Sequence, residues 1–425
     1  MNRKLIAAVG VAGMLMSVAA CGGDDGDDGG KAGADGYKGQ TLTVWAMDGS
    51  TPDGWTEDVT AAFEKKTKAK LKFETQQWNG IQQKITTSLS EENPPDVLEV
   101  GNTQTPAYAA TGGLADLSDL KEEIGADWTK ALNESSVYEG KQYAAPWYFA
   151  NRVVIYNKKV WADAGLTDAP KTRAEFFDAL KAIDKKTDAE PIYLPGQNWY
   201  FFDGLTIGQG ADLVKKEGDK YVSNLADPKV GKAMELYKQY QSYSKAPKDK
   251  DEATPQQAEV FAKGNVGAFI GMGWEAGTAI AANKKIEKDI GYFTIPGETV
   301  SEPEGVFLGG SNFAVAAGSK KQELAKEFLK IALSDKFEGA LAKENGVIPN
   351  KEALQIHLAG NGAAEAAAPA AAGGGTTPLI PEWAAVENDP NPIKAYMTAV
   401  LKGKSPAAAA KQVEAEINKR LAQSS

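Results

Sequence analysis

The chain has 425 residues, with 57 acidic and 47 basic side chains and a formal charge of −10. That balance excludes nucleic acid and anionic lipid surfaces as partners, since both demand basic patches. One histidine (His357) and one cysteine (Cys21) exclude disulfides and most transition-metal sites; without a Gly-x-Ser-x-Gly elbow they exclude His-dependent triads too. No cofactor is expected.

In chain order, Arg3 and Lys4 precede an apolar run over residues 5–20, closed by Ser17-Val18-Ala19-Ala20-Cys21. A basic start, a short apolar run and small residues before a cut read as a secretory signal over residues 1–20. The run falls short of the roughly 20 apolar residues of a membrane span. Val18-Ala19-Ala20-Cys21 resembles the bacterial lipobox, which implies lipidation of Cys21. Residues 21–39, rich in Gly and Asp, read as a flexible tether rather than a calcium loop, because spaced ligands and a closing glutamate are missing.

Folded sequence starts with a β-rich run at 41–46. A helix over 55–66 follows, with Trp55, Val59, Ala62 and Phe63 at helical spacing, then a strand at 71–74. Ile81, Ile85 and Leu89 mark a second helix that ends before Pro94-Pro95, and residues 96–100 read as a third strand. This β-α-β-α-β order predicts a parallel sheet with right-handed crossovers. Beyond residue 150 the pattern resumes: a strand at 152–156, helices over 173–183, 230–243 and 255–263, and an apolar strand at 266–272. A strand at 313–316 leads into a helix over 322–333. The Ala/Gly/Pro tract at 360–375 predicts a mobile loop or irregular helix, and 407–421 a closing amphipathic helix. Length and composition suit two α/β domains.

Several segments, taken in order, carry a family resemblance. They are Asn93-Pro94-Pro95-Asp96-Val97, Tyr143-Ala144-Ala145-Pro146-Trp147 with Val154-Ile155-Tyr156-Asn157-Lys158, and Ala164-Gly165-Leu166 with Pro170-Lys171-Thr172. Phe261 to Phe269, Leu308-Gly309-Gly310-Ser311-Asn312, Ala325-Lys326-Glu327-Phe328-Leu329 and Asn345-Gly346-Val347-Ile348-Pro349 complete the set. Together they resemble the extracellular sugar-binding lipoproteins of ABC importers (solute-binding family 1). Gly101-Asn102-Thr103 and the leader further resemble actinobacterial chito-oligosaccharide and disaccharide-binding members. The resemblance implies a two-lobe α/β fold with a hinge and an interlobe cleft. Lobe I would comprise residues 40–150 plus 307–330, and lobe II residues 151–306 plus 331–425. It also implies a non-catalytic monomer, lipid-anchored at the outer face of the cell membrane, that delivers a small oligosaccharide such as a chitobiose-like disaccharide to permease subunits. The alternative is an exported carbohydrate-active enzyme with paired carboxylates, for which no local motif stands out.

A sugar presents apolar C–H faces rimmed by hydroxyls, so its site needs aromatic plates and short polar side chains. The expected contacts follow predicted strands or lie at crossovers: Asp48 (with Met47), Trp78, Asn102, Trp147, Tyr148, Arg152 (with Asn151), Trp274, Glu275, Ser311, Asn312 and Trp383. Trp274 and Trp147 are the favoured platforms, while Trp199, Tyr200 and Asp203 are weaker candidates and Trp45 is expected in the core. Arg152 and Glu275 are open between ligand contact and a lobe–lobe ion pair. Gly271, Gly273 and Gly277 miss the Gly-x-Gly-x-x-Gly spacing of a dinucleotide site by one residue.

Overall fold

A computed structural model describes residues 34–423; the leader, Cys21 and the tether up to residue 33 lie outside the described residues. Strand Thr41–Met47 pairs in parallel with Lys70–Gln76 and with Val97–Gly101. Helices Trp55–Thr67 and Ile81–Leu89 supply the two crossovers. The first helix forms where its apolar residues recur every fourth position: Trp55, Val59 and Phe63 are all buried against the sheet.

Two antiparallel strands extend this sheet. Gly309–Val315 lies between Val97–Gly101 and Ala145–Ala150, and the short strand Ile348–Pro349 adds the far edge, making six strands. Helices Gln322–Ala332 and Asp335–Asn345 pack on the same face as Trp55–Thr67, sharing a core with Val44, Trp147, Phe313 and Phe328. Residues 335–349 therefore belong with the first sheet, although the sequence reading grouped them with the second lobe. The reason is local: Phe337, Leu341 and Val347 fill the gap beside Trp55.

The second sheet has three antiparallel strands, with Val153–Asn157 between Ala268–Gly271 and Ile290–Phe293. Around it, helices Arg173–Lys186, Trp199–Gly208, Pro228–Gln241, Pro392–Leu401 and Pro406–Leu421 bury a large apolar cluster. Their starts are capped as the sequence dictates, with Thr172 accepting from the Glu175 N–H and Asn198 from the Phe201 N–H. The tract at 360–375 is ordered rather than loose. It forms helix Gly362–Ala371, capped by Asn361 and carrying Pro369, and its alanines pack on strand Ile290–Phe293. Small side chains let this helix lie close to the strand, which periodicity in a run of alanines does not reveal.

The chain passes between the sheets three times. Ala145–Ala150 runs straight into Val153–Asn157 through Asn151 and Arg152; residues 294–308 return; and the chain leaves again after Ile348–Pro349. At the return crossing Gly305 lies against helix Trp199–Gly208. A Cβ on Gly305 would stand 2.4 Å from the Gly208 nitrogen, so only glycine fits there.

Candidate functional site

The three parallel strands of the first sheet end at Met47, Gln76 and Gly101, and ligands of open α/β sheets collect beyond such carboxyl ends. Asp48 is exposed there, with its N–H donating to the Gln76 carbonyl at 2.8 Å. Trp78 lies beside Gly101 and keeps 45 % of its surface open. Across from them, strand Ala268–Gly271 ends in Met272-Gly273-Trp274. Met272 packs against the first lobe's core, so this turn faces the opposite lobe, and Trp274 is 48 % exposed. One tryptophan from each lobe is thus about half exposed.

Beneath this level lies a buried carboxylate. Glu99 accepts from the Met47 N–H (2.6 Å), the Ser50 hydroxyl (2.8 Å), the Ser311 hydroxyl (2.6 Å) and the Tyr148 hydroxyl (3.1 Å). Burial pushes its carboxyl up while these donors pull it down. Ser311 is therefore committed to Glu99. Tyr148, half-buried, packs against the first lobe's apolar cluster, as Met272 does.

At the hinge, Arg152 pairs with Glu252 at 2.7 Å and its guanidinium lies 5.1 Å from the Tyr200 ring centroid. Tyr200 stacks on Phe307 (4.7 Å, 24°) and on Trp199 (3.9 Å). Its hydroxyl donates to Glu387, which also accepts from the Thr103 hydroxyl at 2.8 Å. Thr103 follows the first sheet's third strand and Glu387 ends helix Trp383–Glu387, so this bond joins the two lobes. Asp203, one helical turn on from Tyr200, is buried with Oδ2 unpartnered; burial, with Asp212 and Glu387 nearby, raises its carboxyl to about 8.

Several expected contacts prove to be framework. Trp147 is wholly buried, stacked on Phe313 at 4.1 Å and tilted against Trp55, because the helices at 55–67 and 335–345 cover its face. Trp383 is equally buried beside Trp199. Asn102 is spent on the return crossing, donating to the Leu308 carbonyl (3.0 Å) and accepting from the Gly310 N–H. Asn312 points to the other sheet face, donating to Thr105 and Ser135. Neither Arg152 nor Glu275 makes a lobe–lobe ion pair: Glu275 accepts from the Met272 N–H and from Gln257, both in its own lobe. Ser50, Glu252 and Glu387 are three polar residues that no local motif distinguishes, and Thr103 stands out only as part of Gly101-Asn102-Thr103, without an expected partner. Away from the site, a cavity of about 590 Å³ separates helix Ile81–Leu89 from helix Trp383–Glu387, and none of the expected contacts lines it.

Residues 48–338 match the family described as bacterial extracellular solute-binding protein. The chain is 76 % identical, over all of both chains, to the diacetylchitobiose binding protein DasA of Streptomyces coelicolor. It is 25 % identical to a maltooligosaccharide ABC transporter solute-binding lipoprotein of Streptococcus pneumoniae, covering 83 % of each. Among solved structures, the GacH receptor of Streptomyces glaucescens, solved unliganded and with acarbose, aligns with a TM-score of 0.77 at 25 % identity, covering 91 % of this chain and 99 % of that one. A cyclo/maltodextrin-binding protein complexed with maltotetraose aligns with a TM-score of 0.73 at 22 % identity, covering 90 % and 97 %.

Proposed function

The chain belongs to the bacterial extracellular solute-binding proteins, and from that premise we propose that it captures diacetylchitobiose, or a close chito-oligosaccharide, between its lobes and passes it to an ABC permease. The function is binding without turnover; none of the similar proteins lends support to an enzyme with paired carboxylates. The observation that carries the choice of sugar is the 76 % identity across the whole chain to a diacetylchitobiose binding protein.

In this reading Trp78 and Trp274 plate the two faces of the sugar, and Asp48 meets its hydroxyls. Two half-exposed indoles on opposite lobes support that assignment. Lobe I comprises residues 40–150 with 309–350, and lobe II the remaining folded segments, a division supported by the sheet pairing and by the core shared by Phe337 and Val347. The mature chain acts as a monomer tethered through lipid on Cys21; Cys21→Ala should abolish labelling by radioactive palmitate.

Calorimetric titration of the mature protein with diacetylchitobiose tests the function. Saturable one-to-one binding, with the disaccharide recovered intact by chromatography, is expected. Release of monosaccharide would replace the receptor by an enzyme, and no heat with diacetylchitobiose but binding of a maltodextrin would overturn the choice of sugar.

A further inference from the structure

Trp274 accepts no capping hydrogen bond at the start of the helix Glu275–Ala282, and nearly half of its surface is open. The direction of its ring is therefore set by the turn that carries it. That turn is built around a carboxylate that is buried beneath it. Glu275 Oε1 accepts from the Met272 N–H at 2.8 Å, and Oε2 accepts from Gln257 Nε2 at 2.7 Å. Gln257 also donates to the Ile270 carbonyl at 3.3 Å, and its own N–H donates to the Glu252 carbonyl at 2.8 Å. The strand end, the turn and the loop at 252–257 are thus tied at one point. The fit is close: a Cβ on Gly271 would stand 2.6 Å from Glu275 Oε1 and 2.9 Å from Gln257 Nε2.

We propose that Glu275 and Gln257 are positioning residues for the sugar platform, holding the turn 271–274 so that the Trp274 ring stands ready to stack on a pyranose. This rests on the reading of Trp274 as a ligand contact. Neither side chain touches the sugar: both are almost wholly buried, and both Glu275 oxygens and Gln257 Nε2 are spent on the turn and on each other, while Gln257 Oε1 is buried without a partner among the described residues.

The chemistry makes the arrangement depend on pH. An ionised Glu275 has acceptors for both N–H groups. Protonated, it turns an O–H toward one of two donors, and one bond of the clamp is lost. The charged groups facing it are Arg152, which favours the ionised form, and Glu252, which opposes it; burial outweighs both and raises the carboxyl to about 7. Affinity for the disaccharide should therefore be steady above pH 8 and weaken as pH falls toward 6.

The test is calorimetry with diacetylchitobiose at pH 6 and pH 8 on wild type, E275Q, Q257A, W274A and the double variant W274A/E275Q, with thermal melts to measure the folded fraction. E275Q sets an NH2 against the Gln257 NH2, and should bind about tenfold more weakly at pH 8, with no pH dependence of its own. Q257A removes a donor that favours the ionised carboxylate, and so should move the fall in affinity to higher pH. In the W274A background E275Q should change nothing further. Wild-type affinity and pH profile in folded E275Q would overturn the positioning role, as would an equal loss in the W274A background. Unchanged affinity in W274A alone would overturn instead the reading of Trp274 as a platform, so the two failures are separable.

Discussion

Trp274→Ala and Trp147→Ala should behave as opposites, because one indole is open and the other enclosed. An aromatic side chain of this kind offers about 200 Å² in all. Trp274 leaves 48 % of its surface exposed, so a stacked sugar ring would cover up to about 100 Å² of it. At about 25 cal/mol per Å² that face contributes roughly 2.5 kcal/mol before the cost of ordering, so a loss of about 1–3 kcal/mol in binding is expected. Only the other half of the ring packs on protein, so stability should fall by no more than about 2 kcal/mol. Trp147 is fully buried, with Phe313 at 4.1 Å and Trp55 at 5.7 Å. Its truncation opens a cavity and should cost about 3–5 kcal/mol of stability. Affinity in the fraction that stays folded should be nearly unchanged. Calorimetry with diacetylchitobiose and urea melts on both variants decide the matter. Wild-type affinity in Trp274→Ala, joined to a stability loss as large as that of Trp147→Ala, would refute the reasoning and return Trp274 to the core.

Glu99→Ala should lose about 3–5 kcal/mol in urea melts, because it strands four donors (Met47 N–H, Ser50, Tyr148 and Ser311) in a buried site; a loss below about 1 kcal/mol would show the site to be wet. Asp203 should make stability fall with rising pH. Its carboxyl is raised from 3.8 to about 8 in the folded chain, so between those values the folded state keeps a proton that the unfolded state has released. Stability is then full below about pH 4, declines by up to about 1.4 kcal/mol per pH unit through the window, and levels off above about pH 8. Asp203→Asn should reduce the difference in urea midpoint between pH 5 and pH 8, leaving the contributions of the other carboxyls that burial raises, Glu275, Glu338 and Glu387 among them; an unaltered difference would count against the buried, unpartnered carboxyl. Small-angle scattering should show a smaller radius of gyration at saturating disaccharide, since a site divided between lobes is completed on closure. An unchanged radius would confine the site to one lobe.

What the sequence by itself determined is whatever local periodicity and short motifs encode. Val59 and Phe63 at helical spacing, the β-rich run at 41–46 and the order of segments specified a parallel β-α-β-α-β start, because each element buries its own stripe regardless of what covers it. The ordered motifs from Asn93 to Pro349 implied two lobes and a sugar receptor, and the exposure of Trp274 agrees with its place beyond a strand, just after Gly271 and Gly273. Tertiary structure alone decided which of the other aromatics meet solvent. In the sequence Trp147 lies at a crossover and Trp274 beyond a strand, both places where a contact is expected, but Trp147 is covered by Trp55 and Phe313, which are distant along the chain. The polar residues divide the same way. Asn102, Ser311, Asn312 and Glu275 carry the chemistry to bind a hydroxyl, yet each is consumed by a partner that the fold brings in, the Leu308 carbonyl, Glu99, Thr105 and Gln257 respectively. Most buried hydrogen-bonding groups are paired, and the partner is a matter of three-dimensional packing, which no single stretch of sequence contains.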